Sequence, residues 1–538
     1  MPPKRRAQDF DATPSASKRE KIETGPSSPG KYADNQIANW PAPRQSIQAA
    51  RDFILSSAIS TQPTLLVPDR DCDGLSSGHI LRRTLIALGK TKERIAVHFI
   101  GKGRNIHAIE ERRKLESRTL GGEKFGTIIV LDQGSNDDGE IATGVSTLIL
   151  DHHFSKTFPR NAVICSACES PPIATSSLLT YIVCKGLLAE SGLLSAELGR
   201  TLEWLALVGI CGDLGPNVPL HKDPYPNELH ESNLSYKTSV SKLVPFLNAP
   251  RRTPSSDPGD SWELLRIASD AVPPIDPKQI MVLTSDTPPT EPTLLSLRKI
   301  LLNLDKARNA TFEETEKCSH TPPIFSEDGR LAILTINSAY QIHPLIATRW
   351  AGHLKSKKLV AVGCANTGYL PGKVNFSCRL AKTSIKARNG AVEKKTEKRR
   401  KNPDDIYSTT DDTAGKSSVD SVSETDEEGK DDENIISLLK GYAAEDDIFA
   451  LKLAEAESKG EVSFAKGHKE ASGGSLTPEL WEMFATKCLK LLTRDGSTTS
   501  NANSGNSSKE KKAEAVAKKN GNTLDRYFFS PKKKKPGS

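Results

Sequence analysis

Between residues 40 and 215, short apolar runs alternate with longer amphipathic stretches. Thr64-Leu65-Leu66-Val67, Thr127-Ile128-Ile129-Val130-Leu131 and Thr147-Leu148-Ile149-Leu150 are rich in β-branched residues and too short for helices. Each is apolar at successive positions, the pattern of a strand in a parallel sheet covered on both faces. Residues 77–88, 176–188 and 195–208 read as helices, so the region predicts an α/β sheet. Residues 216–258 read as loop. A connecting helix is expected over 288–316, where Leu294, Leu295, Leu297, Ile300, Leu301 and Leu304 recur at near-helical spacing. A second, smaller α/β unit follows, with strands expected at 331–336, 359–363 and 373–379.

That second unit is interrupted. Residues 386–401 are basic, and 404–433 are acidic and rich in Ser and Thr without an apolar period, so 386–433 reads as a disordered insertion. Apolar periodicity returns at 435–453 and continues to about 492. The expected organisation is a basic disordered leader over 1–35 and a first domain over 36–310. A second domain spans 311–385 and 434–492, and a disordered basic tail covers 493–538.

Composition narrows the function classes. The chain of 538 residues carries nine cysteines, of which only Cys165 and Cys168 form a C-x-x-C pair, so reduced thiols are expected rather than a zinc site or a disulfide framework. No apolar run approaches the roughly 18 residues of a membrane span, and the start of the chain is polar and basic, unlike a secretory signal. The net charge of +7 is accounted for by the last thirty residues, with ten Lys/Arg and three Asp/Glu. The rest is near neutral, which excludes a uniformly basic nucleic-acid coat. Pro3-Lys4-Arg5-Arg6 and Lys18-Arg19-Glu20-Lys21 have the form of a bipartite nuclear import signal, and a nuclear location is expected.

Every early strand runs into a loop of acids or histidines. The first meets Asp69-Arg70-Asp71-Cys72-Asp73-Gly74, the second Asp132-Gln133-Gly134, and the third Asp151-His152-His153. A further acid, Asp213, follows a helix read over 202–210. The carboxyl ends of neighbouring parallel strands share one crevice, so these residues are expected to converge. So many carboxylates repel one another unless cations intervene. An oxygen-rich donor set with one or two imidazoles suits Mn²⁺ or Mg²⁺ better than zinc. Two such ions roughly 3.5–4 Å apart activate water and stabilise a leaving oxyanion in phosphoester cleavage.

These four segments, in this order and spacing, resemble the motifs of the DHH phosphoesterase superfamily, and the first resembles the RecJ-like exonuclease branch. Asn248-Ala249-Pro250-Arg251-Arg252 is similar to the RecJ "N-A-x-x-R" segment, and His343 to Trp350 to the helix before its substrate-binding strands. Ser377-Cys378-Arg379 is similar to its "S-x-R" strand, and Gly467-His468-Lys469-Glu470-Ala471-Ser472-Gly473 to its glycine-rich phosphate loop, with Lys466 in place of that loop's first glycine.

The resemblance implies a parallel-sheet catalytic domain and a smaller α/β accessory domain, with the active site between them. It implies hydrolysis of single-stranded DNA or RNA with two divalent ions. Asp69, Asp71, Asp73, Asp132, His152 and Asp213 would be metal ligands. Asp151 would orient a ligand, and His153 would ligate or touch phosphate. Asn248, Arg251 or Arg252, Arg379, Gly467 and His468 would contact substrate. Two rival readings are a nuclease for short oligonucleotides or cyclic dinucleotides, and a non-catalytic replication scaffold. All the acids are retained here, which counts against the scaffold.

The tail carries Gly521-Asn522-Thr523-Leu524-Asp525-Arg526-Tyr527-Phe528-Phe529. One helical turn would set Leu524, Tyr527 and Phe528 on one face, an apolar plug with basic flanks. The string resembles a sliding-clamp (PCNA) interaction motif with Gly521 in place of the usual Gln, and implies such a clamp as partner.

Overall fold

Because residues of the apolar runs point alternately to opposite faces, each run feeds two separate cores, and this fixes the first sheet between layers. In a computed structural model, residues 39–135, 139–354, 356, 358–382, 434–468 and 470–491 are described. The chain opens with α1 (Arg44–Ile59), β1 (Thr64–Pro68), α2 (Cys72–Ala87), β2 (Ile95–Val97) and α3 (Ile109–Ser117). A small hairpin of β3 (Thr119–Leu120) and β4 (Glu123–Lys124) precedes β5 (Thr127–Leu131), β6 (Ser146–Asp151) and β7 (Ala162–Ser166). Six helices follow: α4 (Ser176–Glu190), α5 (Ala196–Leu214), α6 (Asn227–Asn248), α7 (Gly259–Asp270), α8 (Pro277–Val282) and α9 (Pro292–Cys318).

The first sheet has the order β2-β1-β5-β6-β7, and all its pairings are parallel. Leu66, Ile129, Leu131, Leu148 and Leu150 pack under the helices on one face. Leu65, Val67, Ile128, Val130 and Ile149 pack on the other with Ile106, Leu115 and Phe125. The expected doubly covered parallel sheet is present.

The second unit comprises β8 (Ile324–Phe325), β9 (Leu331–Ile336), α10 (His343–His353), β10 (Ala361–Asn366) and β11 (Val374–Leu380). After the insertion come α11 (Ile435–Ala443), α12 (Asp447–Ser458), β12 (Ser463–His468), β13 (Ala471–Leu476) and α13 (Pro478–Met483). The sheet order is β12-β13-β11-β10-β9-β8, with β9 and β10 parallel and the other pairings antiparallel. Phe376, Phe449, Phe464, Trp481 and Phe484 centre one of its cores. Ile346, Trp350, Val362 and Cys364 belong to the other.

Four local expectations need correction. The helix expected from residue 77 starts at Cys72, so much of the first acidic segment is helical. Its Ser and Gly residues weaken a helix by propensity, but Asp71 caps the start and Gly78 is needed for packing, since a Cβ there would lie 2.6 Å from the Trp262 ring. The helix expected to end before Asp213 runs on to Leu214. The stretch 216–258 read as loop holds the 22-residue helix α6, whose Leu229, Val240, Leu243, Phe246 and Leu247 are buried. The surrounding prolines masked that period. Finally, the glycine-rich segment is a β-hairpin rather than a loop.

The leader 1–35, the insertion 386–433 and the tail with Leu524, Tyr527 and Phe528 lie outside the described residues. No helix among the described residues is long and apolar enough to cross a membrane.

Candidate metal centre

Strands β1, β5 and β6 are neighbours, so the acids at their carboxyl ends meet along one edge. Asp71 N-caps α2, accepting from the backbone N–H of Asp73 at 3.1 Å and of Gly74 at 3.2 Å. Gly74 allows this fold-back, because a Cβ there would sit 2.6 Å from the backbone nitrogen and oxygen of Asp69. Asp132 follows β5 with φ of 61°, a left-handed backbone that is uncommon outside Gly and Asn. Its carboxylate is buried and accepts from the Ser176 hydroxyl at 2.9 Å.

Asp151 is fully buried and saturated with donors. One oxygen accepts from the backbone N–H of His152 (2.8 Å) and His153 (3.2 Å) and from His153 Nδ1 (2.8 Å), and the other from Ser135 N–H (3.1 Å). Burial alone would raise its pKa, but the His153 imidazole and these bonds hold it well below the usual carboxylate range. Asp151 is therefore placed to orient His153 rather than to meet a ligand. Desolvation of the half-exposed His153 ring opposes its charge, yet Asp151, with Asp213 and Asp69, raises its pKa to about 10.

Two groups of potential ligand atoms result. In one, single donor atoms of Asp132, His152 and His153 lie within 4.8 Å of one another, and in the other those of Asp69, Asp71 and Asp132 do. Asp132 belongs to both, as a carboxylate bridging two ions would. His152 Nε2 also stands 3.5 Å from Asp213 Oδ2, so Asp213, in the last turn of α5, joins the first group's edge.

Asp73 stands apart from both groups. Its two oxygens accept from the backbone N–H of Ser176 (2.7 Å) and Ser177 (3.0 Å), so it caps α4, where the helix dipole favours negative charge. Its Oδ2 is 3.9 Å from His152 Nε2.

The cluster carries the repulsion expected of crowded acids. Asp132 has its pKa pushed well above the ordinary value by burial and by Asp73, Asp71, Asp69 and Asp151. Burial and Asp73 raise Asp213 to about 6. Asp69 is also raised, by burial and then Asp71. Arg251 partly compensates, with Nη1 3.2 Å from Asp71 Oδ2 and 3.9 Å from Asp69 Oδ2. Burial works to raise Asp71, but Arg251 and the cap bond leave it lowered. Oxygen-rich donors with two imidazoles and unrelieved carboxylate repulsion fit hard divalent cations.

Beside this edge lies a second, cationic group. Arg379, on β11, donates through Nη1 to Ser377 Oγ (2.8 Å) and the Cys378 carbonyl (3.0 Å). Burial and the charges of Arg251 and Arg379 lower the pKa of Arg252 to about 10. His343, at the start of α10, is buried and lowered to about 3 by burial, Arg379 and Arg252. Its Nδ1 has no hydrogen-bond partner among the described residues.

The remaining expected substrate residues are placed differently. Asn248 is buried and its side-chain oxygen accepts from Cys72 N–H at 3.1 Å, tying the end of α6 to the start of α2. Gly467 has φ of 120°, and a Cβ there would lie 2.5 Å from the Ala471 carbonyl. Gly473 meets the Phe376 carbonyl in the same way, at 2.2 Å, so these glycines serve close strand packing. The backbone of His468 pairs with Ala471, which pairs with Arg379, so the two expected phosphate contacts share one cross-strand row. The His468 side chain lies outside the described residues.

Sequence reasoning missed Ser135, Ser176 and Ser177 as supports of the acids, and the uncharged His343 beside Arg252 and Arg379. Thr175-Ser176-Ser177 carries a helix-start signal, but nothing in it points to Asp73 or Asp132.

The parallel sheet with acids along its carboxyl edge, joined to a second mixed sheet, defines a fold of the DHH-domain type. The crystal structure of RecJ from Thermus thermophilus in complex with Mn²⁺ is similar over 84% of this chain and 55% of that chain, with a TM-score of 0.50 and 14% identity. The DHH domain of a member of a ribosomal-protein family is similar over 86% of this chain and 93% of that one, with a TM-score of 0.51 and 13% identity. The chain thus spans about half the length of the Thermus RecJ. No protein-family model and no curated protein sequence matches it. What is shared at such identities is the fold.

Proposed function

We propose that the protein is a metal-dependent phosphodiester hydrolase that shortens single-stranded DNA or RNA from an end. The observation that carries this reading is the pair of ligand groups sharing Asp132, set beside the Arg252–His343–Arg379 group. Asp69, Asp71, Asp132, His152 and His153 would hold two divalent ions, Mn²⁺ or Mg²⁺, with Asp213 and Asp73 at the margin. When bound, such ions lower the pKa of water and stabilise a leaving oxygen. Asp151 fixes the His153 ring, Ser176 fixes Asp132, and Arg251 balances the acids at the first loop. The cationic group would grip a backbone phosphate beyond the cleaved bond.

The test is Mn²⁺-dependent release of mononucleotides from single strands labelled at the 5′ or the 3′ end, run in parallel. No release with any divalent ion would overturn the reading. Release confined to strands of a few nucleotides would move it to the short-oligonucleotide alternative.

Arg379→Ala and His468→Ala are each expected to weaken strand binding and flatten its salt dependence by about 0.7 in log–log slope per lost phosphate contact. Mn²⁺ affinity should not change. Titrations at several salt concentrations that superimpose on wild type would remove these residues from the substrate path.

The basic clusters and the tail extend this reading to a nuclear enzyme of DNA replication or repair that docks on the sliding clamp through Leu524, Tyr527 and Phe528. A peptide spanning 517–538 should bind purified clamp with a Kd in about the micromolar range. Tyr527→Ala with Phe528→Ala should abolish that binding, and equal retention of both peptides would end the idea.

A further inference from the structure

The loop after β2 reaches across to the second sheet through one side chain. Lys102 Nζ donates to the Pro254 carbonyl at 3.2 Å and to the Ala339 carbonyl at 3.2 Å, and lies 4.5 Å from the centre of the Tyr369 ring. Its neighbour Gly103 is pressed against the β10–β11 connection, where a Cβ would fall 2.4 Å from Leu370 Cδ1. These partners belong to three separate segments. Pro254 lies in the turn that carries Arg251 and Arg252, Ala339 precedes His343 by four residues, and Tyr369 lies between β10 and β11, which bears Arg379.

The 251–256 turn is held from the acidic loop as well. Arg70 donates to Ser256 Oγ at 2.9 Å, and Ser256 Oγ donates to the Arg251 carbonyl at 2.8 Å. The turn meets the second unit where Gln341 N–H donates to the Arg252 carbonyl at 2.8 Å. Among the described residues, Lys102 is a side chain that touches the turn and the second unit together. It is half-buried, and its contacts are with these two carbonyls and the Tyr369 ring.

We infer that Lys102 is a positioning residue that fixes the span between the acidic cluster of the first sheet and the Arg252–His343–Arg379 group of the second. A compact ammonium with three donors can bind two carbonyls from different units and still face an aromatic ring. A strand held by the cationic group would then meet the acidic edge at one distance. The substrate part of this inference rests on the proposed nuclease function, whereas the latch itself does not.

The experiment compares full-length wild type, Lys102→Met and Lys102→Arg with Mn²⁺, on a labelled ten-nucleotide strand and on bis(p-nitrophenyl) phosphate, which is too small to reach both groups. Lys102→Met should lower kcat/KM on the strand by about 10–100-fold and leave the small diester within about twofold, since misplacement penalises only the two-point substrate. Lys102→Arg, which keeps the donors and the charge, should restore most of the strand activity. Hydrogen exchange at the Gln341 amide should speed up at least about tenfold in Lys102→Met, as the local opening free energy falls.

Equal loss on both substrates, unchanged exchange at Gln341, or a smaller salt slope for strand binding would each overturn the inference. The last would mean that Lys102 binds phosphate itself. If wild type cleaves neither compound, the nuclease reading fails, and the Gln341 exchange still decides the latch.

Discussion

Asp132→Ala is expected to abolish hydrolysis and, at the same time, to make the metal-free protein more stable. Asp132 is the one residue common to both ligand groups, so its loss would weaken both ion sites. Losing a charge interaction of several kcal/mol in the transition state lowers the rate by about a thousandfold or more. In the metal-free fold the same carboxylate is a liability, because burial and four neighbouring acids raise its pKa far above the ordinary value. An acid whose pKa is raised by folding binds more protons in the folded state, so its ionisation opposes folding as pH rises.

For Asp213 that window runs from the ordinary value of 3.8 to about 6, and Asp132 is raised in the same direction. Chelator-treated wild type should therefore lose stability relative to Asp132→Ala as pH rises from about 5 to about 7. Asp132→Ala should melt above wild type at the higher pH, and the gap should narrow in acid. Added Mn²⁺ should stabilise wild type and not the variant. Retention of wild-type turnover by a well-folded Asp132→Ala would sink the two-ion assignment.

The fold was legible where local pattern and burial coincide. The three apolar runs that became β1, β5 and β6 are buried on both faces, so nothing in the sequence competes with the strand reading. The half-exposed strands β2 and β7 carry weaker versions of the pattern and escape it. Helix α6 was hidden because Pro226 and Pro245 punctuate a stripe whose period runs through them, and Pro245 is tolerated in the last turn of the helix.

The acids were legible as a convergent set because parallel strands deliver their carboxyl ends to one edge. Their division of labour was not. Asp69, Asp71 and Asp73 look equivalent on the chain, yet the helix that starts between them turns Asp73 toward the N-terminus of α4 and leaves Asp71 beside Arg251. Similarly, Asn248 and Arg251 are three residues apart in one motif. One is spent on a backbone bond to Cys72, and the other faces the acids. Such choices depend on contacts with residues far away along the chain and leave no local trace.

The largest stability effect is expected at Asp270, far from any chemistry. It closes α7 and accepts from Arg82 Nη1 at 2.7 Å and Arg83 Nη1 at 3.1 Å, with Arg266 Nη1 3.6 Å away. The side chains of Arg82 and Asp270 are only 7% and 9% exposed, so this pair is desolvated, unlike an ordinary surface ion pair. Burial would raise the Asp270 pKa, but the two arginines of α2 hold it below the usual carboxylate range. Asp270→Ala leaves the Arg82 guanidinium in a low-dielectric site without its counter-charge, which costs about 3–5 kcal/mol. The stabilisation is present above the unfolded carboxylate pKa and is lost as pH falls through the lowered folded value. The wild-type and variant urea midpoints should therefore differ widely at about pH 7 and converge as pH falls through that lowered folded value. Asp71 and Asp73 sit at the opposite end of α2, held by the Gly74, Ser176 and Ser177 amides, so Mn²⁺ affinity of the folded variant should match wild type. A midpoint at about pH 7 that does not move on substitution would show that α2 is anchored without this carboxylate, by the packing of Leu75, Leu81 and Leu85 alone.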